Sequence, residues 1–220
     1  MTRELNFGRV AAQSGQAKSL VVFLHGYGAD GADLLGLADT LAPHLPDTVF
    51  IAADAPSPCA GNPFGRQWFP IPRFDGSSEV EAAVEMNRAA DDLNAFLDKR
   101  LAEEGLAPAA LALVGFSQGA MMSLHIAPRR AVAMAGVVAI SGRLLRPQVL
   151  AQEASVKPPV LLIHGDRDDV VPFQEMQIAG NALVAAGFQT FGHVMQGTGH
   201  GIAPDGLGVA MQFLKERLPG

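Results

Sequence analysis

The chain is poor in cysteine, in aromatic side chains other than phenylalanine, and in positive charge. Cys59 is the only cysteine among 220 residues. That excludes an intrachain disulfide and any zinc site built on paired cysteines, and it agrees with a reducing, cytoplasmic location. The six histidines show no zinc-ligand spacing, so no metal is expected, and the chemistry read below needs no organic cofactor. Lys and Arg number 16 against 22 Asp and Glu, a net charge of −6, and no basic run occurs. A general nucleic-acid binder needs a basic face, so nucleic acid is not an expected partner. No apolar stretch is long enough to span a bilayer, and Met1 to Phe7 lack the apolar region of a signal peptide. Stable membrane insertion is therefore not expected. Internal repeats and low-complexity tracts are also missing.

What remains is 49% hydrophobic and 17% charged, enough for a large core. The length suits one α/β domain over residues 1–220. Apolar strand-like runs occur at Ser19–His25, Thr48–Ala53, Leu111–Val114, Val132–Ile140, Val160–His164 and Thr190–Met195. Leu5–Val10 reads as a short edge strand. Helical spacing falls between these runs, at Asp33–Leu41, Glu79–Glu104, the segment after Ser117, Phe173–Ala186 and about Asp205–Leu218. In the longest helix Val80, Ala83, Val84, Asn87, Ala90, Leu93, Leu97 and Leu101 form one stripe, and the charges opposite read as a solvated face. Such alternation implies a mostly parallel, doubly wound sheet flanked by helices.

The most informative stretch is Leu111 to Ala120. A buried-strand run breaks into Gly115-Phe116-Ser117-Gln118-Gly119 and continues as a helix. This is G-x-S-x-G in its expected context of strand, sharp turn and helix. A side chain at position 115 or 119 would collide with neighbouring backbone, and the turn holds Ser117 in a strained conformation with its hydroxyl exposed. The Gln118 N–H at the helix start points to where an oxyanion would form.

Other strand ends carry matching chemistry. The first strong strand runs into His25-Gly26-Tyr27-Gly28, which lacks the third glycine of a dinucleotide turn and any Walker-type Lys. The Tyr27 N–H is the expected second oxyanion donor. Another strand ends in Gly165-Asp166-Arg167-Asp168-Asp169, and the last in Gly199-His200-Gly201. Ligands of such sheets sit beyond the carboxyl ends of the strands. The chain order is serine, then an acid within Asp166–Asp169, then histidine. A hydroxyl needs a base within reach, imidazole can take and return the proton, and a carboxylate on its far nitrogen sets the tautomer. The segment Asp54–Ser78 reads as one long loop. Trp68, Phe69, Ile71 and Phe74 either line an apolar pocket over Ser117 or tuck the loop onto the core.

Together Phe23-Leu-His-Gly-Tyr-Gly-Ala-Asp-Gly, Gly115-Phe-Ser-Gln-Gly-Ala, His164-Gly-Asp-Arg-Asp-Asp-Val-Val-Pro and Gly199-His200 resemble the phospholipase/carboxylesterase family of α/β-hydrolases. The resemblance implies an α/β-hydrolase fold with no separate lid domain. Its pattern His-Gly-x-x-Asp-x-x-Val-Pro places the acid on Asp168, and it also implies Tyr27 and Gln118 as oxyanion donors. The form Gly-Arg-Gln-Trp-Phe-Pro is similar to the bacterial carboxylesterase branch; acyl-protein thioesterases carry a longer loop before their Trp.

The expected activity is a serine carboxylesterase acting on a small-molecule ester of short to medium acyl chain through Ser117, His200 and Asp168. Rival activities are those of a lysophospholipase or a protein thioesterase. A non-catalytic receptor on this fold would often have lost a triad member, and all three stand here. A dienelactone-type hydrolase would more usually show Cys at position 117. A homodimer through an apolar patch is compatible with the composition.

Overall fold

The computed structural model describes residues 2–60 and 62–220. In chain order it comprises β1 (Phe7–Val10), β2 (Ser19–Leu24), α1 (Gly31–Leu35), α2 (Leu37–Leu41), β3 (Thr48–Ala53), β4 (Ser57–Cys59), β5 (Asn62–Gln67), α3 (Pro72–Asp75) and α4 (Glu79–Glu104). There follow β6 (Leu111–Phe116), α5 (Gln118–Ile126), β7 (Gly136–Ile140), α6 (Leu150–Glu153), β8 (Val160–Gly165), α7 (Gln174–Ala185), β9 (Thr190–Met195) and α8 (Pro204–Arg217). The main sheet has the order β1-β3-β2-β6-β7-β8-β9. Only β1 runs antiparallel to its neighbour.

The apolar runs form the inner strands because both faces are covered. Leu20, Val22 and Leu24 of β2 join one core with Leu93 and Leu97 of α4 and Met122 of α5. Val21 and Phe23 point the other way, toward Leu34, Leu41, Phe213 and Leu214 of α1, α2 and α8. This period-two split, one face to each helical layer, is what a doubly wound sheet requires. Truncating a side chain such as Leu93 to Ala would cost about 2–5 kcal/mol.

Several elements differ from the sequence expectation. The helix over 33–41 is two short pieces meeting at Gly36, with the first capped by the Asp30 carboxylate. The strand expected from Val132 begins only at Gly136, and Val132 is exposed. The supposed loop 54–78 holds the β4–β5 hairpin and α3, with Gly61 outside the described residues. Backbone pairing of Arg66 with Gly28 and Ala29 (N···O 2.9 and 2.8 Å) anchors that hairpin. Such pairing is non-local and leaves no periodic trace in a Pro- and Gly-rich stretch.

Helix α4 has the expected bounds, set by a Ser78–Glu81 capping box and by Gly105 in the left-handed region. Its buried face is shifted from the expected stripe. Val80 and Val84 are exposed, whereas Ala82, Met86, Ala89, Leu93, Phe96 and Leu97 are inside. Two of its charges are inside as well. Asp92 accepts from Arg3 Nε at 2.6 Å, and the Arg100 guanidinium lies 4.5 Å from the Phe7 ring centre. The segment around β1 covers this flank, which helical spacing alone could not reveal.

Candidate active site

Ser117 occupies the junction between β6 and α5 with φ 54° and ψ −115°. A non-glycine residue there carries about 1–3 kcal/mol of strain. The surrounding structure imposes it. Ser117 N–H donates to Ile140 C=O at 2.9 Å, and Ser117 C=O accepts from Met121 N–H at 3.1 Å. A Cβ at Gly115 would overlap the Gly119 carbonyl, and one at Gly119 would overlap the Leu24 carbonyl. Only glycines let β2, β6 and α5 converge this closely. Gln118 opens α5, and its N–H is among the first-turn donors that a helix leaves unpaired.

The turn after β2 lies directly against the serine. A Cβ at Gly26 would stand 3.3 Å from Ser117 Cβ. His25 is buried and fixes this turn. Its Nδ1–H donates to Gly26 C=O at 2.7 Å, and Nε2 accepts from Ala55 N–H at 3.0 Å. Burial keeps its pKa below the ordinary imidazole value, so the ring is neutral. Tyr27 follows, with its ring 5.6 Å from that of Phe74. Burial and the neighbouring Cys59 thiol push the Tyr27 phenol up to about 12, so it is not a general base at neutral pH.

The segments that follow β8 and β9 bring Asp168 and His200 together. His200 Nδ1 lies 2.7 Å from Asp168 Oδ2, and the Asp168 side chain is fully buried. Its Oδ1 accepts from the N–H groups of Val170 and Val171 at 3.0 and 2.9 Å. Burial alone would raise the Asp168 pKa. The His200 ring and the two backbone donors outweigh it and hold the carboxyl below its usual range. The His200 ring packs against Phe116, centroids 4.9 Å apart, beside Ser117. A Cβ at Gly165 would overlap the carbonyls of Thr198 and Gly199, so glycine there lets the His200 loop approach β8. Among the three nearby carboxylates, Asp168 meets His200. Asp166 instead accepts from Gly197 N–H at 2.6 Å, and Asp169 is exposed.

The aromatic segment divides. Trp68 is fully buried in the core and Phe69 nearly so. The Trp68 indole N–H donates to His25 C=O at 3.0 Å. These two tuck the loop onto the core, and neither forms an open pocket wall. Ile71 is half-buried and Phe74 is exposed above Tyr27. Three roles escaped the sequence reading: the His25 ring in its turn, the Gln118 side chain, which bonds the backbone of Trp68 and Phe69, and His164, which lies against Asp168. Each was visible only as a polar residue inside a motif, with no stated partner.

Comparison with known proteins decides the family. The profile of the family described as phospholipase/carboxylesterase matches residues 5–218. The chain belongs to the phospholipase/carboxylesterase family. It is 28% identical to esterase YpfH of Escherichia coli (strain K12), over 92% of this chain and 84% of that one. It is 31% identical to acyl-protein thioesterase 1 of Saccharomyces cerevisiae, over 97% and 99% of the two chains. The crystal structure of esterase PE8 superposes with a TM-score of 0.93 at 45% identity, covering 98% of this chain and 100% of that one. The fold of this family member is that of the α/β-hydrolases, a mostly parallel sheet flanked by helices. Among the described residues, no helix is long and apolar enough to cross a membrane, and no group of three His, Cys, Asp or Glu is placed to hold a metal ion.

Proposed function

We propose that this family member is a serine carboxylesterase, formed as one catalytic domain, with Ser117 as nucleophile, His200 as general base and Asp168 as the acid behind it. The observation that carries this reading is the 2.7 Å contact of His200 Nδ1 with a fully buried Asp168 carboxylate. With Nδ1 engaged, the proton-accepting nitrogen is Nε2, and the ring packs on Phe116, the residue that precedes the strained serine. Ser117 Oγ attacks the ester carbonyl as its proton passes to His200 Nε2. The Tyr27 and Gln118 N–H groups receive the oxyanion; each such donor is worth about 10²–10³ in rate. The imidazolium then protonates the leaving alcohol, and the acyl-serine forms. Water repeats the sequence with His200 as base and releases the acid. Asp168 keeps the tautomer and stabilises the imidazolium without taking the proton.

We infer a preference for short to medium acyl chains. Trp68 and Phe69 are committed to the core, so of the aromatic segment only Ile71 and the exposed Phe74, whose ring meets that of Tyr27, are left to contact an acyl chain. The test is hydrolysis of p-nitrophenyl esters from acetate to palmitate beside a palmitoyl thioester, with Ser117→Ala in parallel. The expected result is a maximum at short chains and a loss of about 10⁴-fold or more in Ser117→Ala. A maximum at long chains or on the thioester would favour the thioesterase reading, to which the yeast relative's name points. Retained turnover in Ser117→Ala would move the nucleophile elsewhere.

A further inference from the structure

His164, the residue before the last in strand β8, is 1% exposed. Its Nε2 lies 2.9 Å from the Val171 carbonyl oxygen and 3.3 Å from Asp168 Oδ2. A carbonyl oxygen only accepts, so Nε2 must carry the proton. That N–H makes its full hydrogen bond to Val171, while its positive end also lies on the carboxylate oxygen that faces His200. Val171 N–H in turn donates to Asp168 Oδ1 at 2.9 Å. One imidazole thus touches both the turn that carries the carboxylate and the carboxylate itself. Phe173 packs edge-on over this ring at 6.0 Å and 70°. Among the described residues, His164 and His200 are the titratable groups within ion-pair range of Asp168. Asp166 is turned to Gly197, and Arg167 and Asp169 are exposed.

We propose that His164 is a positioning residue for the acid–base pair: as the Nε2–H tautomer it orients Asp168 Oδ2 toward His200 and shares that oxygen's negative charge. The inference rests on the roles given above to Asp168 and His200. The polarised Nε2–H, held by the Val171 carbonyl and lying 3.3 Å from Oδ2, moderates the carboxylate's pull on the His200 imidazolium. Taking it away strengthens that pull and loosens the ring's orientation.

The experiment compares His164→Met, which removes the donor, with His164→Gln, whose amide N–H reaches about where Nε2 stands. Substrate is p-nitrophenyl acetate, and the low-field proton resonance of His200 Nδ1–H is recorded in each protein. His164→Met should lower kcat roughly tenfold with little change in KM. The acid limb of its kcat/KM profile should move to higher pH. The low-field resonance should shift with it, and His164→Gln should bring limb and resonance back toward the parent. A folded His164→Met protein with the parent's acid limb and resonance overturns the proposal. Should both variants fail to fold, ¹⁵N-histidine spectra of the unaltered protein decide: Nε2–H on His164 supports the proposal and Nδ1–H overturns it. Turnover surviving in Ser117→Ala would instead sink the esterase mechanism, and the tautomer measurement does not depend on that result.

Discussion

The side-chain amide of Gln118 bonds the backbone of Trp68 and its neighbour in both directions. Its Oε1 accepts from Trp68 N–H at 2.8 Å, and its Nε2 donates to Phe69 C=O at 2.7 Å. The residue after Ser117 thereby braces the segment leading to Ile71 and Phe74. In Gln118→Glu one carboxylate oxygen still accepts from Trp68, but the other faces a carbonyl oxygen with no proton between them. We expect a loss of about 1–3 kcal/mol in stability and of kcat/KM, although the Gln118 N–H is untouched. Trp68 is the only tryptophan, so intrinsic fluorescence reports this site directly. Its emission should move to the red, and an unchanged spectrum with full activity would refute the brace.

Asp168→Asn and Asp166→Asn should part widely. The first replaces the acceptor of His200 Nδ1–H and permits the wrong tautomer, a change that costs about 10⁴ in kcat in other triads. The second weakens the bond from Gly197 N–H that steadies the His200 loop, and should cost far less. Steady-state kinetics on p-nitrophenyl acetate would expose a reversed ranking, which would overturn the choice of acid.

Ser117 is held at a backbone conformation that favours glycine. Ser117→Ala and Ser117→Gly both lack the hydroxyl, but only glycine removes the strain. Ser117→Gly should be the more stable of the two by about 1 kcal/mol, read as a higher thermal midpoint. Equal midpoints would show that the strain is absorbed by neighbouring structure.

His125 lies at the end of α5, facing α4, 4% exposed and with Nδ1 unpartnered. Burial, reinforced by Arg129, pulls its pKa from 6.5 to about 4. The unfolded chain therefore binds the extra proton between those values. The stability this adds is complete above about pH 6.5 and is lost as pH falls toward 4, on the order of 3 kcal/mol. His25 is shifted the same way and steepens the slope. Asp168 acts lower: its depressed pKa gives stability that is lost only as pH drops below the ordinary carboxylate range. Thermal midpoints in His125→Gln should fall less between pH 6.5 and 4 than in the parent. Parallel curves would exclude His125 as the source.

The sheet was legible because buried parallel strands are nearly unbroken apolar runs, as in Leu20–Leu24 and Leu161–Ile163. The candidate site was legible because its residues sit just past strand ends beside glycines. Three things were not. The β4–β5 hairpin depends on Arg66 pairing with the turn after β2, a contact between residues some 37 apart in the chain. The inward flank of α4 depends on Arg3 and Phe7, which hide Asp92 and Arg100. The choice of Asp168 over Asp166 and Asp169 needed a family pattern, because all three stand in one turn and only backbone direction separates them.

The sheet order sets Ser117 and the turn at Tyr27 on the central neighbours β6 and β2, while Asp168 and His200 follow β8 and β9 at one rim. β9 is the outermost strand there, with Thr190, Phe191, Gly192 and His193 only partly covered. Rim strands of this kind open before the interior does. On the proposed assignment, hydrolysis is a gauge of whether the rim is closed. During gentle heating, turnover should fade while the central strands keep their circular dichroism. The protein's working lifetime would then be set by the departure of one ribbon, and the melting of the whole would come later.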